Sequence, residues 1–228
     1  MESREDQADA QKKAAAKRAV ELVGPGMVIG LGTGSTARYF IDMLGVAVRA
    51  GLQIQAVATS RATLEQAHAN GIQTVDEFDG EIDLAIDGAD EIDPDLNCIK
   101  GRGGALLREK IVAHASRRFV VIADESKLVD RLGRGPVPIE VAPFLWQATS
   151  RSIESLGGSP RMRMDDSRPY QTDNGNLILD TRFPIVDARL ANALHRIPGV
   201  LEHGLFFKIA AGAIVGGPNG MRILGRLE

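Results

Sequence analysis

The sequence predicts an α/β protein with a Rossmann-like, mostly parallel sheet domain and a smaller ferredoxin-like α+β domain. Three observations carry that expectation. Short, wholly apolar runs such as Met27-Val28-Ile29 and Phe119-Val120-Val121-Ile122-Ala123 alternate with helix-forming stretches, and continuous rather than alternating hydrophobicity marks strands covered on both faces. A glycine-rich turn, Gly30-Leu31-Gly32-Thr33-Gly34-Ser35-Thr36, stands where the first strand gives way to a helix, as at the opening of a doubly wound sheet. After Gly133-Arg134-Gly135-Pro136 the order changes to β-α-β-β-α-β, the ferredoxin-like order. The expected division is residues 1–132 with 208–228 for the first domain and 133–207 for an inserted second one.

In chain order, Asp6 to Val23 is rich in Ala, Lys and Arg and reads as a helix, stopped by Gly24-Pro25-Gly26. Met27 to Ile29 is a buried strand, followed by the glycine turn and a helix from Thr36 to Arg49. Ile54 to Ala58 reads as a strand, Arg61 to Ala69 as a helix, Ile72 to Val75 as a short strand and Ile82 to Ile86 as a longer one. An acidic loop, 87–95, and a second glycine cluster, Lys100-Gly101-Arg102-Gly103-Gly104, lead into a helix from Ala105 to Ser116 and a strand from Phe119 to Asp124. The insert offers strands at Val137–Val141, Arg161–Met164, Asn176–Asp180 and Val200–Phe206, and helices at Leu145–Leu156 and Ala188–Arg196. Ala213-Ile214-Val215 and Met221-Arg222-Ile223-Leu224 in the tail are too few to fold alone and are expected to return to the first sheet.

Composition bounds the function. At 228 residues, 44% hydrophobic and 25% charged, the chain can bury a core without disulfides. A net charge of −3 lacks the basicity of a nucleic-acid binder, and with no 18-residue apolar stretch no membrane span is expected. One cysteine, Cys98, excludes an internal disulfide and a Cys-based zinc cluster. The start, MESREDQADAQKK, resembles neither a signal nor a transit peptide, so a cytoplasmic location is expected. Twenty-five glycines against 4% aromatics point to turns or to loops where backbone approaches a ligand.

Three clusters could carry chemistry. The Gly30–Thr36 turn can aim N–H groups and the Ser35 and Thr36 hydroxyls at a phosphate, with the helix N-terminus adding positive potential; the bland alternative is a plain turn capped by Ser35 or Thr36. It matches neither the dinucleotide fingerprint nor a Walker loop. In Asp87-Gly88-Ala89-Asp90-Glu91, carboxylates three residues apart at a strand end can converge on sugar hydroxyls, or form a solvated acidic turn or a Ca²⁺ loop, although the EF-hand pattern fails. The third is Lys100 to Lys110. Lys100 and Arg102 bring charge to an open glycine backbone that suits a phosphate or a developing enediolate. At 100° per residue, Ala105, Leu106, Val112 and Ala113 lie within about 60° of Glu109. A carboxylate among them suits a general base; alternatively Arg108, Glu109 and Lys110 form a solvated strip. Lys127 ends a strand turn and either reaches the same cleft or stays in solvent. The four histidines show no ligand spacing.

Together these segments resemble the type A family of ribose-5-phosphate isomerases. The matches are Gly30–Thr36, Asp87–Glu91, Lys100-Gly101 with its glycine run, Leu107-Arg108-Glu109-Lys110-Ile111-Val112, Ala123-Asp124-x-Ser126-Lys127, Pro138-x-Glu140-Val141, Thr172-Asp173-Asn174-Gly175-Asn176 and Ile197-Pro198-Gly199-Val200. The resemblance runs from about Lys12 to the C-terminus. It implies interconversion of ribose 5-phosphate and ribulose 5-phosphate in the non-oxidative pentose phosphate pathway, with no cofactor and no metal. It implies that Glu109 moves a proton between C1 and C2, that Asp87 assists ring opening or hydroxyl proton transfer, and that Lys100 stabilises the enediolate. Substrate would be held by Thr33, Gly34, Ser35, Thr36, Asp87, Gly88, Ala89, Asp90, Lys100, Gly101, Arg102, Gly103 and Lys127. Arg102, where many members have glycine, either alters phosphate affinity or points outward. A homodimer or a dimer of dimers is implied, with the ferredoxin-like insert in subunit contact.

The chemistry agrees with the residues. An enediolate needs a carboxylate base, a cation or N–H donors at the oxygen, and a shielded site. An amino-sugar-phosphate isomerase-deaminase would want a histidine near the acidic loop, a sugar-phosphate-sensing regulator would want a helix-turn-helix or basic arm, and a CoA-transferase-like protein would want a glutamate nucleophile.

Overall fold

The alanine-rich N-terminal segment forms helix α1 (Arg4–Val20) in the computed structural model, which describes residues 4–75 and 79–227. Glu5 and Asp6 in its first turn and Lys17 and Arg18 in its last complement the helix dipole. There follow β1 (Val28–Leu31), α2 (Ser35–Arg49), β2 (Gln55–Ala58), α3 (Arg61–Ala69), β3 (Leu84–Asp87), β4 (Glu91–Ile92), β5 (Cys98–Ile99), α4 (Leu106–Ala115) and β6 (Phe119–Asp124). A 3₁₀ turn, Glu125–Lys127, ends this half. The second half contains β7 (Val137–Val141), α5 (Trp146–Ser155), β8 (Ser159–Met162), β9 (Met164–Asp165), β10 (Arg168–Pro169), β11 (Leu177–Arg182), α6 (Ala188–Leu194), β12 (Val200–His203), β13 (Leu205–Phe206), β14 (Gly212–Gly217) and β15 (Gly220–Gly225).

The main sheet has the order β15-β14-β6-β3-β1-β2. Its neighbours are parallel except at β15, which closes the edge antiparallel to β14. From β1 the chain moves outward to β2 and then returns past β1 to β3. That reversal makes the crevice beyond β1 and β3 the ligand-binding position of such sheets. Alternate residues point to opposite faces. Ile29, Leu31, Leu84, Ile86, Val120, Ile122 and Ile214 pack beneath Ala15, Ala19, Phe40, Ile41 and Leu44 of α1 and α2. On the other face Ala85, Val121, Ala123, Ala213 and Val215 meet Val112, Ala113 and Phe206. Burial on both faces is why these strands read as unbroken apolar runs.

The second sheet, β12-β7-β11-β8, is antiparallel throughout and has the expected β-α-β-β-α-β order. Its core is Val137, Ile139, Val141, Ile153, Leu179 and Leu194. The tail returns to the main sheet as β14 and β15. No helix among the described residues is long and apolar enough to cross a membrane.

The structure corrects several local expectations. Helix α1 ends at Val20, three residues before Val23. Ile72 to Val75 contributes one bridge, Thr74 to Ala56, rather than a strand. The acidic loop contains a small hairpin, β4 and β5. The stretch Val200 to Phe206 is two strands: β12 pairs with β7, and β13 pairs with β5. The break falls at Gly204, whose N–H donates to Pro138 O (2.7 Å) and whose carbonyl accepts Lys100 N–H (2.8 Å). That stitch joins the second sheet to the backbone of Lys100.

Candidate active site

At the end of β1 the chain turns at Gly32, where a Cβ would overlap the Asp87 carboxylate. Asp87, the last residue of β3, can therefore lie against this turn. Its Oδ1 accepts N–H groups of Thr33 (3.1 Å) and Gly88 (2.7 Å). Its Oδ2 is 2.8 Å from Lys100 Nζ, an ion pair off the line of a well-aligned hydrogen bond. The ammonium donates to Gly88 O (2.6 Å) and lies 3.5 Å from Glu109 Oε2. Asp87, Lys100 and Glu109 are 3%, 2% and 3% exposed.

Two carboxylates thus share one ammonium away from water. Burial raises the Asp87 carboxyl above its usual range, opposed by Lys100. Burial, reinforced by the charge of Asp87, pushes Glu109 up to about 8, again opposed by Lys100. Burial alone would lower Lys100, but Asp87 and then Glu109 outweigh it and hold the lysine above its normal value. Lys100 therefore stays charged, and Glu109 is poised to take or give a proton near neutrality. Its Oε2 has no hydrogen-bond partner.

The helix periodicity around Glu109 is as expected: Leu106, Glu109, Val112 and Ala113 form the buried side of α4, while Ile111 is 58% exposed. The solvated-strip alternative fails at Lys110 as well, which is buried and 2.7 Å from Glu202 Oε1. Arg108 is tied down from the second sheet, donating to Asn174 Oδ1 (2.8 Å). Asn174 belongs to a loop organised around the fully buried Glu140, whose Oε1 accepts from Thr172, Asn174 and Asn176.

The other wall of the crevice is the start of α2. Gly34 precedes it at φ 132°, a conformation that glycine alone adopts freely, and no side chain caps the helix. Its first N–H groups are therefore available to an anion. The Thr33 hydroxyl is engaged with Thr59 (2.8 Å), Ser60 (2.9 Å) and Thr63 (3.0 Å), a cluster that fixes the turn. Asp90 Oδ2 accepts Arg102 N–H (3.0 Å), while the Arg102 guanidinium is mostly exposed, 3.9 Å from Asp90 Oδ1.

A cavity of about 240 Å³ lies between these walls, lined by Thr33, Gly34, Ser35, Thr36, Gly88, Ala89, Asp90, Lys100, Gly101, Arg102, Gly103, Glu109 and Lys127. The structure thus brings the expected residues to one cavity, with Asp87 set apart behind Lys100. Lys127 reaches it from the 3₁₀ turn after β6.

A second buried polar cluster lies off the cavity and had no local sequence signal. Lys110 Nζ donates to His203 O (2.6 Å) as well as to Glu202. Burial, then the Lys110 charge, pushes His203 down to about 2. Neutral, it donates from Nε2 to Ala191 O (3.1 Å). The Phe206 ring is shared by the two lysines, its centroid 5.5 Å from Lys100 Nζ and 4.9 Å from Lys110 Nζ. His195, Glu202 and His203 come close enough together to suit a metal ion, but the Lys110 ammonium already sits on Glu202.

Residues 55–220 match the family profile described as ribose 5-phosphate isomerase A (phosphoriboisomerase A). A ribose-5-phosphate isomerase A of Gloeobacter violaceus is 51% identical over 222 residues, covering 95% of this chain and 96% of that one. The solved ribose 5-phosphate isomerase A of Methanocaldococcus jannaschii is 41% identical with a TM-score of 0.92, covering 98% of this chain and 100% of its own. A D-ribose-5-phosphate isomerase solved in complex with phospho-erythronic acid is 43% identical with a TM-score of 0.92, covering 96% of this chain and 99% of that chain.

Proposed function

The chain belongs to the ribose 5-phosphate isomerase A family and is a ribose-5-phosphate isomerase, and from that premise we propose that it interconverts D-ribose 5-phosphate and D-ribulose 5-phosphate through an enediolate, with Glu109 as the base. The observation that carries the mechanism is the buried Lys100 ammonium, 2.8 Å from Asp87 and 3.5 Å from a Glu109 oxygen with no hydrogen-bond partner. Glu109 removes the C2 proton of the open-chain aldose and returns it to C1, while the proton of the O2 hydroxyl passes to O1. Lys100 supplies fixed positive charge where the oxygen becomes negative, and low local polarity makes that charge effective. Asp87, absent from the cavity lining, acts through Lys100 by fixing its ammonium. Asp90 accepts from sugar hydroxyls, and the start of α2 with Lys127 receives the phosphate. Oxidation at one carbon reduces its neighbour, so the reaction needs no redox cofactor, and the Lys100 ammonium supplies the positive charge at the oxygen without a metal.

Ribose 5-phosphate incubated with the protein and EDTA, with ketose formation followed, tests this reading. Product formed at an undiminished rate is expected. Absence of product would remove the substrate assignment, and loss of rate with chelator would remove the metal-free mechanism.

The same reading places the reaction in the non-oxidative pentose phosphate branch and in the cytoplasm. It divides the chain into a catalytic part, 1–132 with 208–228, and an insert, 133–207. The insert takes part in homodimer contact, supported by its exposed Phe144 (82%), Leu145 (62%) and Leu201 (43%).

A further inference from the structure

Arg163 stands outside the cavity, between β8 and β9, yet it grips the loop that forms one cavity wall. Its Nη1 donates to the carbonyl oxygens of Gly101 (2.9 Å) and Arg102 (3.0 Å). Its Nε and Nη2 donate to the two oxygens of Asp180 (2.9 and 2.5 Å). That is a two-point pair with a fixed plane. The Tyr170 ring lies 5.8 Å from the guanidinium carbon and packs where a Gly104 side chain would be. The arginine side chain is 13% exposed, so its neighbours hold it in place.

The carbonyls it holds dictate where the opposite ends of those peptides point. In a trans peptide the N–H and C=O face opposite ways. The Gly101 carbonyl points at Arg163, and the N–H of Arg102 in the same peptide ends on Asp90, a cavity residue. The side away from the guanidinium is therefore the cavity side. The next peptide repeats the arrangement: the Arg102 carbonyl is on Arg163, which turns the Gly103 N–H the other way. Gly103 lines the cavity, next to the Thr33 side chain. Among the described residues its N–H has no acceptor.

Building on the isomerase reading above, we propose that Arg163 is a positioning residue: by holding the Gly101 and Arg102 carbonyls it aims the Gly103 N–H into the cavity as a donor to an oxygen of the bound sugar phosphate. The arrangement needs a planar fork. A lysine could pair with Asp180 or reach one carbonyl, but its single ammonium cannot span both sets of acceptors. The oxygen it meets is one whose charge does not change during the reaction, so the donor binds ground state and transition state alike and acts mainly on KM.

The test compares the parent with Arg163→Lys, Arg163→Met and Asp180→Asn in steady-state turnover of ribose 5-phosphate, in calorimetric titration with the same sugar phosphate, and in thermal melting. KM and the titration Kd are expected to rise about tenfold in both Arg163 variants and less in Asp180→Asn. The expected kcat stays within about threefold of the parent, and the pH dependence set by Glu109 is unmoved. Parental KM and Kd in folded Arg163→Lys would overturn the proposal. So would a fall in activity that tracks only the fraction of protein folded, with KM unchanged. Should Arg163→Met fail to fold, Arg163→Lys and Asp180→Asn still decide it. A parent that does not turn over ribose 5-phosphate would instead sink the functional reading, and the titrations would still read the clamp.

Discussion

A side chain on Gly32 would occupy the space held by the Asp87 carboxylate. The turn that approaches the ligand and the acid that fixes Lys100 are thus packed into one volume. Gly32→Ala is expected to push Asp87 out of contact with Lys100 and to lower kcat/KM about 10- to 100-fold, with an overpacking cost of about 1–3 kcal/mol. Kinetics on the folded variant check it. Parental activity would mean that Asp87 is not needed to place the ammonium.

Glu109→Gln keeps the size and burial of the side chain but removes the proton acceptor. Turnover should fall by at least about 10³-fold, with the melting temperature at pH 7 little changed, because burial favours the neutral form of the parental carboxyl, which the amide imitates. An unchanged turnover rate would show that the base lies elsewhere.

The raised Glu109 carboxyl has opposite effects on activity and stability. Burial and the Asp87 charge push it up to about 8 in the fold, against an ordinary glutamate value of 4.5. The folded state therefore holds this proton more tightly. The resulting stability is full below about 4.5 and is lost as pH rises through about 8. Activity needs the ionised base, so kcat/KM should climb over the same upper range. A pH series of kcat/KM, with melting curves of the parent and Glu109→Gln, reads both trends. A flat kcat/KM from pH 6 to 9 would contradict the assignment.

Lys100 and Lys110 share the same phenylalanine ring and should separate cleanly by mutation. Lys110→Met leaves Glu202 without its cation and His203 O without a donor, at a cost of about 3 kcal/mol, or about 10 °C in Tm for a chain of this size. The kcat of the folded variant should remain within about threefold of the parent. Lys100→Met should abolish turnover instead. Comparable catalytic losses in both variants would merge the two clusters into one functional unit.

Local chemistry made much of this legible. A glycine turn between an apolar strand and a helix is a short-range pattern, and the burial of Glu109 followed from the period of its own helix. The acidic loop was harder. Asp87 and Asp90 flank one glycine and look equivalent in sequence, but packing against Gly32 and Lys100 sends Asp87 behind the wall, whereas Asp90 stays in the cavity. Lys110 looks like a solvent-facing lysine, because its partner Glu202 is 92 residues away. Arg163 is separated from the carbonyls it binds by 61 and 62 residues, and nothing around it marks a loop clamp. The two-residue strands β4, β5 and β13 are too short for any periodicity.

The return of the tail also constrains the order in which the molecule can be made. Strand β14 seals the flank of β6 only after the whole of the second sheet has been inserted between them. During synthesis the apolar β6 edge must therefore wait, unpaired, while more than eighty further residues emerge. A nascent chain held before β14 would carry every residue of the catalytic cluster and still present a raw sheet edge to its neighbours. Pairing with β14 is what withdraws that edge from neighbouring copies.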